Sequence, residues 1–240
     1  MASIDLNSDV GEAYGAWPGG PDRELVPLLS SVNVACGFHA GDPSTIRRTC
    51  ELARAAGCVI GAQVSYPDLV GFGRRFIDMR PDELEDAVTY QLGALDAFAR
   101  GVGAGVRYVK PHGALYNALA HHEVQAAAVV AAVRRFDPSL PVLGLPESAV
   151  QRACAQAQVR FVAEGFADRR YTVDGRLVPR TSPDALITVP ADAAAQAVQL
   201  AHAGVESICV HSDTPGAPAL LAAVAAALVA DGFTVQSFVR

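Results

Sequence analysis

The chain has 240 residues, of which 51% are hydrophobic and 18% are charged, and its formal net charge is −6 at pH 7. A chain of this length can bury a full hydrophobic core, and no stretch reaches the roughly 18 consecutive apolar residues of a membrane span. The negative charge argues against non-specific nucleic acid or an anionic membrane as partner. The five cysteines form no CxxC pair, and the first residues do not resemble a signal peptide. We therefore expect a cytoplasmic protein without disulfides.

Short apolar runs alternate with longer helix-like segments along the whole chain. We predict strands at residues 3–6, 32–36, 58–63, 106–110, 141–145, 160–164, 207–211 and 234–239. One helix is expected to start at Asp42 and end at Gly57, and the next to start with a capping box of Asp82 and Glu85. Repeated strand–helix units predict an α/β fold with a parallel sheet covered by helices. Because no Pro-, Gly- or Ser-rich linker interrupts them, a closed barrel in a single domain, residues 1–240, is favoured over an open sheet.

Polar side chains gather where the predicted strands end. The active site of a β/α barrel lies at the C-terminal ends of its strands, so these side chains form the candidate site. They are Asn7, Asp9, Glu12, Asn33, His39, Asp42, Gln63, Ser65, Tyr66, Asp68, Arg74, Arg75, Lys110, His112, Glu164, Asp168, Arg169, Arg170, His211 and Asp213. Lys110 and His112, which follow a buried apolar run and are separated by one proline, are predicted to form one wall of a shared pocket.

Each of these residues also has a purely structural explanation. Asp42 can cap a helix, Asp9 can bond its own turn, and Lys110 can pair with Glu164 at the rim of the barrel. Such explanations do not predict clustering after so many separate strands, and the clustering therefore favours a functional pocket.

The residue types in this pocket are compatible with more than one chemistry. Carboxylates near histidines support either acid–base catalysis or a divalent metal, and both stay open. Lysine and arginine can hold a carboxylate or a phosphate. The sequence contains no Walker A motif, no GxGxxG motif that opens a helix after a strand, and no GxSxG elbow. A nucleotide site is therefore not located, and a covalent acyl-enzyme is not favoured.

Six motifs together resemble the LamB/YcsF family over nearly the whole chain. They read IDLNSDVGE, NVACGFHAGDP, SYPDLVGFGRR, YVKPHGALYN, FADRRYTVDGRLVPR and VHSDTPGA. The resemblance implies a seven-stranded β/α barrel similar to the glycoside hydrolase and deacetylase superfamily, with the eighth predicted strand outside the barrel. The better-characterised members of the family are A subunits of bacterial 5-oxoprolinase. The implied activity is the ATP-dependent opening of the lactam 5-oxoproline (pyroglutamate) to glutamate, together with the B and C subunits.

The resemblance also suggests roles for the candidate residues. Asp9 and His39 would position water, with a divalent metal on these two residues left open. Lys110 and His112 would polarise the lactam oxygen, and Arg74 or Arg75 would bind the substrate carboxylate. The other candidates divide into Asp168 and His211, as catalytic residues that complete the wall, and the substrate-binding residues Asn7, Glu12, Asn33, Gln63, Tyr66 and Glu164.

The chain departs from the family pattern at three positions. Gln63 and Val64 stand where the family usually has His-Pro, and Ser212 stands where it usually has glycine. Glutamine is a poorer zinc ligand than histidine. Two alternatives therefore stay open beside the three-part hydrolase, namely a metal-dependent deacetylase or amidase that acts alone and a non-catalytic regulatory subunit. A homo-oligomer is also left open.

Overall fold

A computed structural model describes residues 2–239 and contains eight parallel strands. They are β1 Ser3–Val10, β2 Ser31–Ala35, β3 Val59–Val64, β4 Tyr108–Pro111, β5 Val142–Gly144, β6 Phe161–Phe166, β7 Ser207–Cys209 and β8 Thr234–Val235. The α-helices are α1 Asp22–Leu25, α2 Pro43–Ala56, α3 Pro81–Gly101, α4 Gly113–Ala118, α5 Glu123–Phe136, α6 Ala149–Ala157, α7 Pro190–His202 and α8 Ala217–Ala230. Each strand overlaps one of the eight predicted strands. No helix within residues 2–239 combines the length and the apolar composition needed to cross a bilayer.

Seven of the strands close into a parallel barrel. Strands β2 to β7 pair in sequence order, and β1 closes the ring because Asn7 pairs with Ser31 of β2 and Asp5 pairs with Ser207 of β7. Strand β8 pairs only with the first residues of β1, where Ser3 lies opposite Thr234. The predicted seven-stranded barrel with an eighth strand outside it is therefore confirmed. The single domain over residues 1–240 stays a prediction, and its first and last residues lie outside the described part of the chain.

Strand β1 is longer than its apolar run predicted. The prediction ended this strand at Leu6, whereas the structure continues it to Val10. Alternate residues of a strand face opposite sides, so Asp5, Asn7 and Asp9 share one face. That face points into the barrel interior, where these polar side chains form hydrogen bonds. Polar residues at these positions are therefore compatible with a strand that continues to Val10.

The helix signals are confirmed at one predicted N-terminus and wrong at the other. The Asp42 side chain accepts hydrogen bonds from the backbone N–H groups of Ser44 and Thr45, and Gly57 ends α2 with a left-handed φ of 74°. The predicted capping box of α3 is not formed. Asp82 instead pairs with Arg80 at 2.5 Å, and α3 starts at a first-turn proline.

The bottom of the barrel is closed by a group of hydrogen-bonded polar side chains. The Asp5 carboxylate accepts hydrogen bonds from the hydroxyls of Ser30, Ser31 and Ser207 at 2.5–2.6 Å. Burial raises the pKa of Asp5 to about 6, although these three hydroxyls oppose the shift. Nearby, the Tyr108 hydroxyl donates to Asn33 Oδ1 at 2.7 Å. These bonds connect β1, β2, β4 and β7 below the site.

The ring of Tyr108 occupies space that only a glycine on the neighbouring strand leaves open. A Cβ placed on Gly61 of β3 would overlap with carbon atoms of this ring. Because Tyr108 is fully buried and bonded to Asn33, it has no room to move away. Gly61 is therefore a packing requirement of the barrel interior.

We expect Gly61→Ala to lower the free energy of unfolding by roughly 1–3 kcal/mol, as overpacking does. The matched control is Gly93→Ala, because Gly93 is an exposed residue inside α3 with no atom within 4 Å of its added Cβ. The higher helix propensity of alanine should make that variant more stable by roughly 0.5–1 kcal/mol. Urea unfolding of both variants measures the difference, and equal stabilities would contradict this account of the barrel interior.

Candidate active site

A cavity of about 630 Å³ opens at the C-terminal ends of the barrel strands. Its walls bring together candidates from five separate segments, namely Asp9, Arg74, Lys110 with His112, Arg169, which follows β6, and His211. Asp9 comes from β1, Arg74 follows β3, Lys110 lies on β4, and His211 follows β7. The predicted shared pocket therefore exists as a geometric feature.

Lys110 is a buried cation at the centre of the site. Its Nζ lies 2.8 Å from Glu164 Oε1 and 3.3 Å from Asp9 Oδ1. It also donates to Asn7 Oδ1 at 3.1 Å and to the Cys209 sulfur at 3.0 Å. Burial lowers the pKa of Lys110, but the Asp9 and Glu164 carboxylates outweigh it and hold this pKa well above its usual value. Lys110 therefore forms the ion pair with Glu164 that a structural role predicted, and it also lines the cavity.

Two asparagines hold these carboxylates in place. Asn7 Nδ2 donates to Glu164 Oε1 at 3.0 Å and to Ser207 Oγ at 2.7 Å. Asn33 Nδ2 donates to Asn7 Oδ1 at 2.7 Å and to Asp9 Oδ1 at 2.9 Å. Burial alone would raise the pKa of Asp9, but the charge of Lys110 lowers it well below its usual range, with help from the bond of Asn33. Both asparagines therefore belong to the site as supports of the charges.

A second cluster, formed by Glu12, His39, Gln63 and His112, lies beside the lysine. Gln63 Nε2 donates to Glu12 Oε1 and to His112 Nδ1, each at 2.9 Å, and Gln63 Oε1 lies 3.2 Å from His39 Nε2. The two imidazoles stack with ring centroids 4.0 Å apart. The Gln63 amide thus contacts a nitrogen or oxygen atom of all three neighbours.

The partners in this cluster decide which ring nitrogens carry protons. His112 Nδ1 accepts from Gln63, so Nε2 carries the proton and donates to the Phe72 carbonyl at 2.9 Å. Burial and the adjacent His39 lower the pKa of His112 well below its usual value, which keeps the ring neutral. Gln63 Oε1 accepts from His39 Nε2, which leaves His39 Nδ1 buried and without a hydrogen-bond partner.

Glu12, His39 and His112 could hold a divalent metal. One atom from each lies within 4.8 Å of the others, and carboxylate and imidazole are ordinary zinc ligands. His112 also has the backbone partner that a metal-bound imidazole requires on its other nitrogen. The sequence predicted Asp9 and His39 as the possible metal ligands. The group in the structure contains His39, but its other members are Glu12 and His112, and Asp9 pairs with Lys110 instead. The donor set therefore fits a cation, on condition that the Gln63 amide hydrogens move away.

His211 is held by a buried carboxylate on the opposite wall. Asp168 accepts from His211 Nδ1 at 3.0 Å, from the His211 backbone N–H at 3.1 Å and from the Thr214 hydroxyl at 2.5 Å. Although burial raises the pKa of Asp168, His211 and Thr214 lower it below its usual value. The ring stacks on Phe166 with centroids 5.1 Å apart. His211 is thus fixed with its Nε2 available for proton transfer.

Of the eight predicted substrate-binding residues, Arg74 alone among the described residues lines the cavity. Five others contact the lining residues Asp9, Lys110 or His112 from behind, namely Asn7, Glu12, Asn33, Gln63 and Glu164. Tyr66 and Arg75 have other partners. Arg75 forms an ion pair with Asp68 and its side chain is 66% exposed. Tyr66 is buried, and its hydroxyl donates to Gln125 on α5. Their roles stay predictions, and Tyr66 reaches the cavity through the lining residue Phe76, whose ring centroid lies 6.0 Å from its own.

Ser212 is accommodated without strain where the family pattern has glycine. Its backbone does not adopt a positive φ, so a side chain costs nothing there. Its hydroxyl lies 3.5 Å from Glu12 Oε2, beside the second cluster.

Two arginines of the cavity and one cysteine behind its wall were not predicted from the sequence as site residues. Arg176 and Arg180 come from the segment between β6 and α7, and Cys209 contacts Lys110 directly. The motif FADRRYTVDGRLVPR, which contains both arginines, was the signal that could have found them. Cys209 gave no signal, because a cysteine in an apolar run looks like a core residue.

Comparison with known proteins gives consistent matches over the full length. Residues 4–240 match the model of the LamB/YcsF family. A Kocuria rhizophila protein, named as the A subunit of 5-oxoprolinase, is 53% identical to this chain, and the match covers 99% of this chain and 100% of the relative. The crystal structure of a lactam utilization protein from Thermus thermophilus is similar with a TM-score of 0.93 and 41% identity, covering 98% of this chain and 100% of that chain. A polysaccharide deacetylase from Bacillus cereus, with a TM-score of 0.55 and 14% identity over 99% of this chain and 92% of that chain, shares the fold alone.

Replacement of the central cation should destabilise the barrel strongly. Lys110→Met leaves the Asp9 and Glu164 carboxylates buried without a cation, and we expect a loss of roughly 3–5 kcal/mol in the free energy of unfolding. The double variant with Glu164→Gln should lose less than the sum of the two single variants, because one uncompensated charge is removed. Urea unfolding of the four proteins measures this coupling, and strictly additive losses would argue against it.

Replacement of Gln63 should strengthen metal binding. Gln63→His removes the amide hydrogens that occupy Glu12 and His112 and adds an imidazole, so we expect zinc affinity to rise at least tenfold. Isothermal titration of Zn²⁺ into both proteins tests this, with Gln63→His/Glu12→Gln as the control that should lose the gain. Equal affinities of the original chain and Gln63→His would show that the amide does not limit the site.

Proposed function

We propose that this chain, which belongs to the LamB/YcsF family as its motifs predicted, is the A subunit of an ATP-dependent 5-oxoprolinase that hydrolyses 5-oxoproline to L-glutamate. The observation that carries the proposal is the full-length match, at 53% identity, to a protein named as the A subunit of 5-oxoprolinase. The cavity supports it, since it offers a fixed cation, a held histidine and several arginines around one space.

The proposed chemistry begins with activation of a poor electrophile. Transfer of the ATP γ-phosphoryl group to the lactam oxygen forms an O–P bond and releases ADP. Water then attacks the lactam carbon, the C–N bond breaks as the ring nitrogen gains a proton, and a second water hydrolyses the resulting acyl phosphate to glutamate and phosphate. Each step develops charge that fixed cations and a proton donor can stabilise.

Lys110 suits the stabilisation of negative charge on the lactam oxygen. Its ammonium already has acceptors from Glu164, Asn7 and Cys209, so an incoming oxygen must replace one of them. The Cys209 thiol is the weakest acceptor of the three, and we propose that the substrate oxygen takes its place. Asp9 then remains at 3.3 Å and keeps the lysine charged.

His211 is the proposed proton carrier. Asp168 fixes the proton on Nδ1 and orients the ring, which leaves Nε2 to take a proton from water or to give one to the leaving nitrogen. A divalent cation bound by Glu12, His39 and His112 would supply an activated water beside the lysine. Arg74, which lines the cavity, is the arginine we retain for anionic substrate groups.

The partners and cofactors belong to the proposal as well. The relatives' name describes one component of a larger enzyme and so implies a complex, and we propose that this complex contains the B and C subunits. ATP is proposed as co-substrate of that complex. The cytoplasmic location, the lack of a nucleic-acid partner and the homo-oligomer stay predictions. A deacetylase acting alone is not favoured, since the deacetylase similarity concerns the fold, and nothing favours a non-catalytic subunit.

The test is release of glutamate and ADP from 5-oxoproline plus ATP, with this chain alone and with its B and C partners. We expect activity in the mixture only, with losses of at least a hundredfold for Lys110→Met and for His211→Gln because each removes a charge-stabilising or proton-carrying group. Arg75→Gln is the matched control and should keep activity, since Arg75 lies outside the cavity. Turnover by the chain alone, or full activity of His211→Gln, would refute the proposal as stated.

A further inference from the structure

Three arginines from two segments of the chain line the cavity. Arg74 follows β3, Arg169 follows β6, and Arg180 lies on the segment between β6 and α7. All three line the same cavity as Lys110 and His211. We call Arg74, Arg169 and Arg180 the arginine cluster.

One carboxylate holds two members of the arginine cluster together. Asp213 Oδ2 accepts from Arg74 Nη2 at 2.5 Å, and the same carboxylate lies 3.2 and 3.3 Å from Arg180 Nη1. Arg169 is held by a different bond, in which its Nη2 donates to the Val178 carbonyl at 2.6 Å. The cluster is therefore fixed in position by protein contacts before any ligand arrives.

The arginine cluster nevertheless keeps buried donors without acceptors. Arg169 is 4% exposed, and its Nε has no hydrogen-bond partner within residues 2–239. Arg180 Nη2 is also buried and has no partner in that range. Leaving a charged donor buried and unpaired is costly in a folded protein, so two such donors beside one cavity indicate a missing acceptor.

The charges in the cluster indicate the sign of that acceptor. Burial, together with the charges of Arg180 and Arg74, lowers the pKa of Arg169 to about 10 against the opposing effect of Asp168. Asp168 is already engaged with His211 and Thr214. Arg74 and Arg180, which share Asp213, thus repel Arg169, and an anion would relieve this repulsion.

We propose that Arg74, Arg169 and Arg180 bind a phosphoryl group. Donors on three separate guanidinium groups around one cavity suit the several oxygens of a tetrahedral phosphate better than a planar carboxylate held by one fork. Asp213 already serves as the carboxylate partner of two of these arginines. The assignment rests on the proposed function, because the phosphoryl group would be that of ATP or of the phosphorylated lactam, held beside Lys110.

The experiment is isothermal titration of inorganic phosphate, 5-oxoproline and ATP, each separately, into the isolated chain in a phosphate-free buffer of low ionic strength. We expect phosphate to bind the original chain, and its affinity to fall at least tenfold in Arg169→Gln and in Arg180→Gln. Arg170→Gln is the matched control, because Arg170 is the exposed neighbour of Arg169 and should leave the affinity within twofold. Thermal unfolding of each variant identifies any loss caused by misfolding, and Arg180→Gln, at the more exposed arginine, provides a second variant should Arg169→Gln fail to fold.

The outcomes separate this inference from the proposed function. If the arginine variants bind both ATP and phosphate more weakly, the result would support the site and identify a nucleotide as the source of the phosphoryl group. If the original chain binds phosphate but not ATP, the result would support the phosphorylated lactam as the source. No phosphate binding by the original chain, or a loss confined to 5-oxoproline in the arginine variants, would overturn the phosphoryl assignment. Because these titrations need neither the B and C proteins nor turnover, they stand or fall independently of the activity test.

Discussion

The whole site depends on one buried cation inside the barrel. Lys110 on β4 lies within 3.3 Å of carboxylates from β1 and β6, so a single ammonium connects three strands. Burial of such charges is costly, and it is tolerated only where geometry and further hydrogen bonds compensate it. Asn7 donates to Glu164 Oε1 and Asn33 donates to Asp9 Oδ1, which provides part of that compensation and requires polar side chains on the inner face of the barrel. Glu164 Oε2 has no hydrogen-bond partner among the described residues. The polar interior is therefore a consequence of the cation.

The cation also divides the cavity into two walls with different electrostatics. On one side the second cluster contains a neutral His112, whose proton positions are fixed by the Gln63 amide and the Phe72 carbonyl. On the other side His211 is held by a carboxylate and lies near several arginines. A substrate oxygen at Lys110 would have a metal-binding donor set on one flank and a proton carrier on the other. Such an arrangement suits a hydrolysis in which charge develops in one place and protons move in another.

The sequence predicted the barrel, six residues of the cavity wall and the option of a Lys110–Glu164 pair, but not the other bonds that hold the site. Strand–helix alternation was sufficient for the fold, and β1 was misjudged only because inward polar residues looked like a strand end. The candidates that follow strands met because the parallel topology forces them to the same rim. Gln63 was recognised as a poor ligand, yet its fit among three neighbours depends on side-chain geometry that spacing does not encode. Arg180 was missed because it lies on an irregular segment whose path follows no periodicity.

Lys110 differs from Arg169 and Arg180 in how completely its hydrogen-bond donors are satisfied within the protein. Lys110 has an acceptor for each of its three protons, so its main duty in the resting protein is structural. Arg169 and Arg180 are equally fixed in place but keep buried N–H groups without acceptors. A fold tolerates such a cost where function requires it, since the unpaired donors gain most when an anion enters. On the proposed roles, the arginine cluster would gain new hydrogen bonds when an anion enters, whereas Lys110 would exchange one acceptor for another.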